Sequence, residues 1–410
     1  MGRADTMEQD NQSRARSFLE RHLGAVAPDQ LSRTIDLSRI ALIVGIVFLH
    51  YGMYPNFRVS PFGGVTVSEH EIAMFVNSFL LFFFFSVVPL LSTISGWLFF
   101  AFANDAKSAA GPALKTRMSK RFFSLYVPLV LWNLLYVMIF LSLLQLVPDH
   151  PLFKSLNVNF RAAGFRDFFN AIFAITQHPL AFQFWFVRDL FLTVLLSPLL
   201  WLLLRKAPWF GAIGLLGVWL FNYDLEIFFR PDVLFFFYMG GLLRVKGARL
   251  GISWQATRWL LLIYIALVVG RALAPYVIAE STVALTLTTR CMRLLGVLAC
   301  WGFFLKVAAT SFGARVARWG VLAFFLYAMH FPLMAEIKLI LWDAMPRIND
   351  FWMVTHYLAS VATTIAVALA TGILMSRYVP RVFALLNGGR DLVRKGRRAR
   401  RPGDSVGAER

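Results

Sequence analysis

Apolar positions along this chain gather into long unbroken runs, unlike the alternating or one-faced stripes of a water-soluble fold. The runs fall at about residues 35–54, 74–102, 122–147, 184–204, 209–222, 231–245, 258–279, 284–306, 319–342 and 352–376. Most reach the roughly 20 residues that a helix needs to cross a bilayer core. A backbone in hydrocarbon must satisfy its own hydrogen bonds, so runs of this length predict α-helices. The fifth and sixth runs are short, with about 13 apolar residues each. They are expected either to cross together or to form a re-entrant pair. The pattern predicts an all-α polytopic membrane protein, a bundle of about ten transmembrane helices.

The polar stretches between runs carry a second pattern. Lys107, Lys115, Arg117, Lys120 and Arg121 follow the second run. Arg205 and Lys206 follow the fourth, Arg244, Lys246, Arg249 and Arg258 the sixth, and Lys306, Arg315 and Arg318 the eighth. The chain ends in the strongly basic "RDLVRKGRRARR". The alternate loops are poor in Lys and Arg or balanced by acids, as in "NYDLEIFFR" at 222–230. Basic loops stay cytoplasmic, which predicts cytoplasmic N- and C-termini. The expected division is a cytoplasmic N-terminal segment, 1–33, a transmembrane domain, 34–376, and a basic cytoplasmic tail, 377–410. "SRARSFLERHL" in the first segment reads as an interfacial helix on the inner side. No early apolar stretch marks a cleavable signal in 1–33. The match of "MGRADT" to a myristoylation pattern and the sequon Asn11-Gln12-Ser13 are both discounted. Loop 55–73, with "PFGGV" and His70-Glu71, either borders a substrate entrance or merely connects. The segment "FRDFFNAIFAITQHPL" within loop 148–183 reads as an amphipathic helix lying in the interface.

Composition closes off other classes. With 58% hydrophobic residues, 15% charged, 41 Phe and a mean hydropathy of +0.63, the chain lacks the polar surface of a soluble protein. The net charge of +19 belongs to inner loops that meet anionic lipid, so no nucleic-acid partner is implied. Cys291 and Cys300 lie nine residues apart, on opposite faces of one predicted helix, and suggest neither a disulfide nor a metal site.

Ionisable groups inside a bilayer are costly and become candidates for function. On the first run, Arg39 and His50 are eleven residues apart, an angular offset of roughly 20°, so they share one helix face about 16 Å apart along the axis. Asp36 is three residues from Arg39 and can pair with it. From spacing alone, snorkelling of Arg39 to inner head groups and an interfacial His50 remain the alternative. Arg188 and Asp189 either orient an acceptor or form an ion pair between helices, and the second is favoured. Tyr327 and His330 read as helix packing or interface anchoring. Ser86, Ser92 and Ser95 offer a covalent relay, though serine in membrane helices more often serves packing. Trp97, Trp132 and Trp185 read as belt or core aromatics, and His22, His150, His178 and His356 as solvated or interfacial.

Five segments occur in one order: Arg39-x10-His50, "SGWLF" at 95–99, "KRFFSLYVPLVLW" at 120–132, "FWFVRDLFLTVLLSPLL" at 184–200 and "FLYAMHFPL" at 325–333. Together they resemble the acyltransferase-3 family, bacterial integral-membrane O-acyltransferases that act on glycans. The resemblance spans roughly Ile35 to Met375. It implies a multi-pass protein of the bacterial cytoplasmic (inner) membrane that moves an acyl group, most often acetyl, from cytoplasmic acyl-CoA to a glycan or glycolipid hydroxyl. Acyl-CoA is then a co-substrate and no bound cofactor is implied. The family's essential first-helix basic residue and histidine map onto Arg39 and His50, with His50 as general base. The family also carries two arginines separated by two residues before the third helix. Here Arg117-Met-Ser-Lys120 keeps one Lys, and Arg121-Phe-Phe-Ser124 loses the second cation. Donor phosphates are therefore assigned to Arg39, Arg117, Lys120 and Arg121, with Lys lacking the bidentate fork of Arg. Asp36, Arg188 and Asp189 are supporting residues. A secondary transporter or glycan flippase also places charges inside the membrane and is the competing class.

Overall fold

The computed structural model describes residues 22–390, except 58–59, 66–69, 105–108, 224 and 279–282. The expected interfacial helix over 13–23 lies outside the described residues apart from its last two positions, as does the tail beyond Arg390. The described chain is almost wholly helical. The long helices are α1 (Pro28–Tyr51), α2 (Glu71–Ala103) and α3 (Ala110–Leu146). A short surface helix, α4 (Phe165–Phe173), precedes α5 (Trp185–Leu195) and α6 (Ser197–Lys206). Then come α7 (Pro208–Leu220), α8 (Asp232–Val245), α9 (Trp254–Leu273) and α10 (Val283–Ala308). The chain continues through α11 (Ser311–Ala317), α12 (Ala323–Ala344), α13 (Asp350–Tyr378) and α14 (Pro380–Leu386). A two-residue antiparallel pair, β1 (Leu23–Gly24) with β2 (Gly251–Ile252), ties the N-terminal segment to the loop before α9.

Every apolar run folds as helix, but the helices are not equally long. Seven are long and apolar enough to cross a membrane: α1, α2, α3, α9 with its short extension to Tyr276, α10, α12 and α13. The fourth run is split into α5 and α6, bent by 59° where the chain reaches Ser197-Pro198. Pro198 has no N–H to continue the ladder, which accounts for the break. The fifth and sixth runs make α7 and α8, of 13 and 14 residues. At 1.5 Å per residue these are only about 20 Å long, short of the bilayer core.

Two boundaries differ from the sequence reading. Helix α1 starts at Pro28, whose missing N–H is no loss in a first helical turn. The basic stretch at 110–121 is a helical extension of α3 instead of a loop, because low hydropathy marks the edge of the membrane and not the end of a helix. A π-helical turn at Phe122–Tyr126 lies between the basic extension and the apolar body of α3.

Helix α1 is the central element, with Leu42, Ile46 and Val47 buried among α2, α10, α12 and α13. Short α8 is buried through close contact with α2. A Cβ on Gly96 would stand 1.9 Å from the Phe237 carbonyl oxygen, and one on Gly240 2.0 Å from that of Thr93. Glycine at both positions lets the two backbones touch, the small-residue contact by which membrane helices associate. Beyond α13, Phe383 of α14 is fully buried and the Trp132 indole donates to the Leu386 carbonyl at 3.0 Å.

Candidate active site

His50 sits in the last turn of α1, and the end of that helix is held from several sides. The C-cap Gly52 has φ of 64°, the left-handed region where a side chain is disfavoured. Lys338 of α12 donates to the Tyr51 carbonyl at 3.2 Å and the Met53 carbonyl at 3.0 Å, placing a cation on the negative end of the helix dipole. The Asn77 amide donates to the Gly52 carbonyl at 2.9 Å. Tyr51 Oη pairs with His356 Nδ1 at 3.0 Å, and His356 Nε2 reaches the Lys338 carbonyl at 3.1 Å. His356 is thus a buried member of this lock, not the solvated or interfacial group expected from sequence. A single histidine in a polar-bounded run gave no sign of its partner on another helix.

The second half of the site comes from α12. Pro332 cannot donate to the Ala328 carbonyl four residues back, and the helix breaks at Phe331, whose φ and ψ are −123° and 130°. The Phe331–Pro332 bond is cis. The freed carbonyls are met from other elements: Gln183 Nε2 donates to Ala328 at 2.9 Å and Phe331 at 2.7 Å, and Tyr136 Oη donates to Ala328 at 3.2 Å. Tyr327 Oη donates to the Gln183 carbonyl. This bracing fixes His330 just before the break.

His330 is fully buried, and its Nε2 lies 2.7 Å from His50 Nδ1. The two rings are nearly parallel, at 7°. His330 Nδ1 lies 2.7 Å from the Tyr327 carbonyl oxygen, which can only accept. His330 Nδ1 therefore carries the proton and its Nε2 is the lone pair. That lone pair requires His50 Nδ1 to donate, which leaves His50 Nε2 as the free basic nitrogen. His330 thus orients the base candidate, correcting the expectation that it serves packing or anchoring. Tyr327 does support packing, but its carbonyl also anchors the relay.

His50 lines a cavity of about 110 Å³ together with Gln183, Arg230, Asp232, Arg293 and Tyr327, walled otherwise by apolar and aromatic side chains. Among the described residues no serine, threonine or cysteine lines it. Ser86 instead pairs with Tyr264 Oη at 3.1 Å, away from the cavity. Arg188 and Asp189 do not face His50. Arg188 donates to the carbonyls of Ala174 at 3.1 Å and Ile175 at 2.7 Å, to that of Ile227, and to Asp189 Oδ1 at 2.9 Å. Asp189 in turn accepts from the Arg230 backbone N–H at 2.9 Å. The pair clamps loops 174–181 and 221–231 together and so sets Arg230 at the cavity wall. His178, on the first of these loops, is shifted to lower pKa by burial and then by Arg230 and Arg188. The amphipathic helix expected before it is the nine-residue α4, which ends at Ala174 in the left-handed region.

At the other end of α1, Arg39 pairs loosely with Asp36, at 3.6 Å. Arg121 and Arg390 lie within electrostatic reach of Arg39 and of each other. Arg390 is held down to about 9, by burial first and then by the charges of Arg39 and Arg121. Three guanidiniums thus converge against one carboxylate. Arg390 is read from sequence only as the first residue of the basic stretch "RDLVRKGRRARR" within the tail. Arg117 instead donates to the Leu98 carbonyl at 2.8 Å beside the Phe102 ring, and Lys120 is exposed with no ion pair among the described residues. Of the four expected donor residues, Arg39 and Arg117 both lie within electrostatic reach of Arg121, and Lys120 is the one that stands apart in the exposed surface.

Residues 33–373 match the acyltransferase-3 family, described as an acyltransferase domain. The chain is also similar to the succinoglycan biosynthesis protein ExoH of Rhizobium meliloti (strain 1021), with 27% identity over 362 residues, 88% of this chain and 93% of that protein. No solved structure matches. A half-buried, oriented imidazole in a multi-helix membrane bundle and a family match over most of its length agree, and the chain belongs to the acyltransferase-3 family of membrane O-acyltransferases.

Proposed function

We propose that this enzyme transfers an acyl group, acetyl in the first instance, from cytoplasmic acyl-CoA to a hydroxyl of a cell-envelope or exported glycan or glycolipid. The relay from the Tyr327 carbonyl through His330 to His50 carries this reading, because it commits His50 Nδ1 to donating and leaves Nε2 as the nitrogen that can take a proton. A hydroxyl is a poor nucleophile near neutral pH, and general-base catalysis by such a group contributes about 10²- to 10⁴-fold. As the acceptor oxygen attacks the thioester carbonyl, its proton passes to His50 Nε2. Collapse of the tetrahedral intermediate breaks the C–S bond, and the proton moves from His50 to the departing CoA sulfur. His330 accepts from His50 Nδ1–H throughout and supports the imidazolium that forms.

Arg39, Arg121 and Arg390 hold the donor phosphates, with Asp36 steering Arg39 and Arg117 and Lys120 contributing only to the surrounding positive field. The donor's long arm then runs along α1 toward His50. In this reading ten segments cross the cytoplasmic membrane, α5 with α6 counting as one and α7 and α8 as a short pair, and both termini are cytoplasmic. Residues 1–33 and 377–410 flank the transmembrane domain, and their basic side chains meet anionic lipid. The glycan acceptor is supported by the similarity to a protein of succinoglycan biosynthesis. Mass spectrometry of surface glycan from a deletion strain and its parent tests the assignment. The parent carries an acyl mass increment that the deletion lacks; identical masses would count against a glycan acceptor.

A further inference from the structure

We infer that the cavity beside His50 contains a carboxylate-binding subsite, built from Arg230 and Arg293, which recognises an anionic substrate. The inference rests on the proposed acyl transfer and adds a class of substrate to it. The carboxylate belongs either to the far end of the acyl group, as in a dicarboxylic half-thioester, or to the acceptor glycan.

Charge balance in the cavity is the first argument. Its wall holds two guanidiniums, Arg230 and Arg293, and one carboxylate, Asp232. Asp232 is already engaged: its Oδ1 accepts from the Trp219 indole at 2.6 Å and from Arg293 Nη1 at 2.8 Å. Arg293 Nε is buried without a hydrogen-bond partner. The Arg230 guanidinium lies over the Trp185 ring, 5.0 Å from its centroid, with no hydrogen-bond acceptor among the described residues. One positive charge is thus in excess, and both arginines have donors to spare. Arg293 Nε is a buried donor without a partner, which is costly, and a ligand oxyanion at this wall would satisfy it while also meeting the exposed Arg230 guanidinium.

Placement is the second argument. Arg230 is exposed, but its backbone is anchored at the cavity wall, because Asp189 accepts from its backbone N–H and from that of Phe229, at 2.9 and 3.4 Å. Arg293 also lines an adjoining cavity of about 190 Å³ with Arg290, whose guanidinium donates to the Trp219 carbonyl. These arginines stand at the His50 end of the bundle, the end whose loops are otherwise poor in Lys and Arg or balanced by acids. Topology alone gives no reason to keep them there. The donor phosphates have their own cations at the Arg39 end. A cavity of about 110 Å³ holds only several water molecules' worth of ligand, which suits a short carboxylate-bearing group.

The test measures kcat/KM of the full chain in detergent or nanodiscs with two substrate pairs. One pair is succinyl-CoA against acetyl-CoA with a fixed acceptor. The other is an acidic glycan against the same glycan with its carboxyls amidated, with a fixed donor. The wild type prefers the carboxylate in one pair, and Arg230→Gln lowers that preference ratio about 10- to 100-fold, the worth of a charge-assisted contact. Loss in the donor pair places the carboxylate on the acyl group, and loss in the acceptor pair places it on the glycan. Arg293→Gln should act in the same direction; if it fails to fold for want of a partner to Asp232, Arg230→Gln alone decides. No preference in the wild type, or a ratio unchanged in the variant, overturns the subsite while leaving acyl transfer intact. No transfer from any donor overturns both readings.

Discussion

Replacing His330 by alanine separates an oriented base from a merely buried imidazole. The substitution removes the acceptor 2.7 Å from His50 Nδ1 and frees the Tyr327 carbonyl. In the transition state His50 is becoming imidazolium, so the lost contact is a hydrogen bond to a charged donor, worth about 1.5–3 kcal/mol. At 1.36 kcal/mol per factor of ten, kcat falls about 10- to 150-fold. KM for both substrates should change little, because the interaction strengthens only as the proton is transferred. His330→Asn supplies an amide oxygen for His50 Nδ1–H and an amide N–H for the Tyr327 carbonyl. It should recover part of the loss, up to about tenfold, as a neutral hydrogen bond allows. The assay is CoA release from acyl-CoA with saturating acceptor, normalised to protein that elutes as a single folded species. A folded His330→Ala enzyme with kcat within threefold of wild type would refute the relay. So would a loss that only tracks the yield of folded protein.

Other outcomes follow from the same geometry. Arg121→Ala and Arg390→Ala should each raise KM for acyl-CoA about tenfold at nearly constant kcat, whereas Lys120→Ala stays within twofold. Because Arg390 is held at about 9, CoA affinity measured by calorimetry should weaken as pH rises through 9, and Arg390→Ala should lack that dependence. Gly96→Ala forces a methyl to within 1.9 Å of the Phe237 carbonyl, and thermal unfolding in detergent should show destabilisation of about 3 kcal/mol or more. Lys338→Met leaves the Tyr51 and Met53 carbonyls without their cation; it should cost about 1–3 kcal/mol and also lower kcat, since His50 sits in the turn it caps.

How far the sequence reveals this site follows from the physics of each feature. Long apolar runs can only be helices in a bilayer, so helix positions were readable from hydropathy alone. The breaks within helices were not, because Pro198 and Pro332 leave the apolar pattern unbroken. Arg39 and His50 were readable as a pair because one helix carries both. His330 is 280 residues from His50, and no periodicity links them. The available signal was a histidine two residues before a proline inside an apolar run, where a freed carbonyl and a bend make room for a polar contact. Arg188 and Asp189 read from sequence as an ion pair between helices, but they pair with each other on one helix, and their other partners are backbone carbonyls and amides that residue identity does not encode. Arg390 was hidden inside the most basic stretch of the chain, where charge alone cannot distinguish the one side chain that folds back. Arg230 and Arg293 belong to a loop and a helix far apart in sequence, and only the fold sets both beside Asp232.

The central claim is that His50 Nε2 takes the acceptor proton during acyl transfer. Its most direct test is acyl transfer by purified wild-type enzyme and His50→Ala, following CoA release and the mass of the acceptor together. Wild type should release one CoA per acyl group added, and His50→Ala should lose at least about 100-fold in kcat while remaining folded and inserted. Wild-type turnover by a folded His50→Ala enzyme would contradict the account.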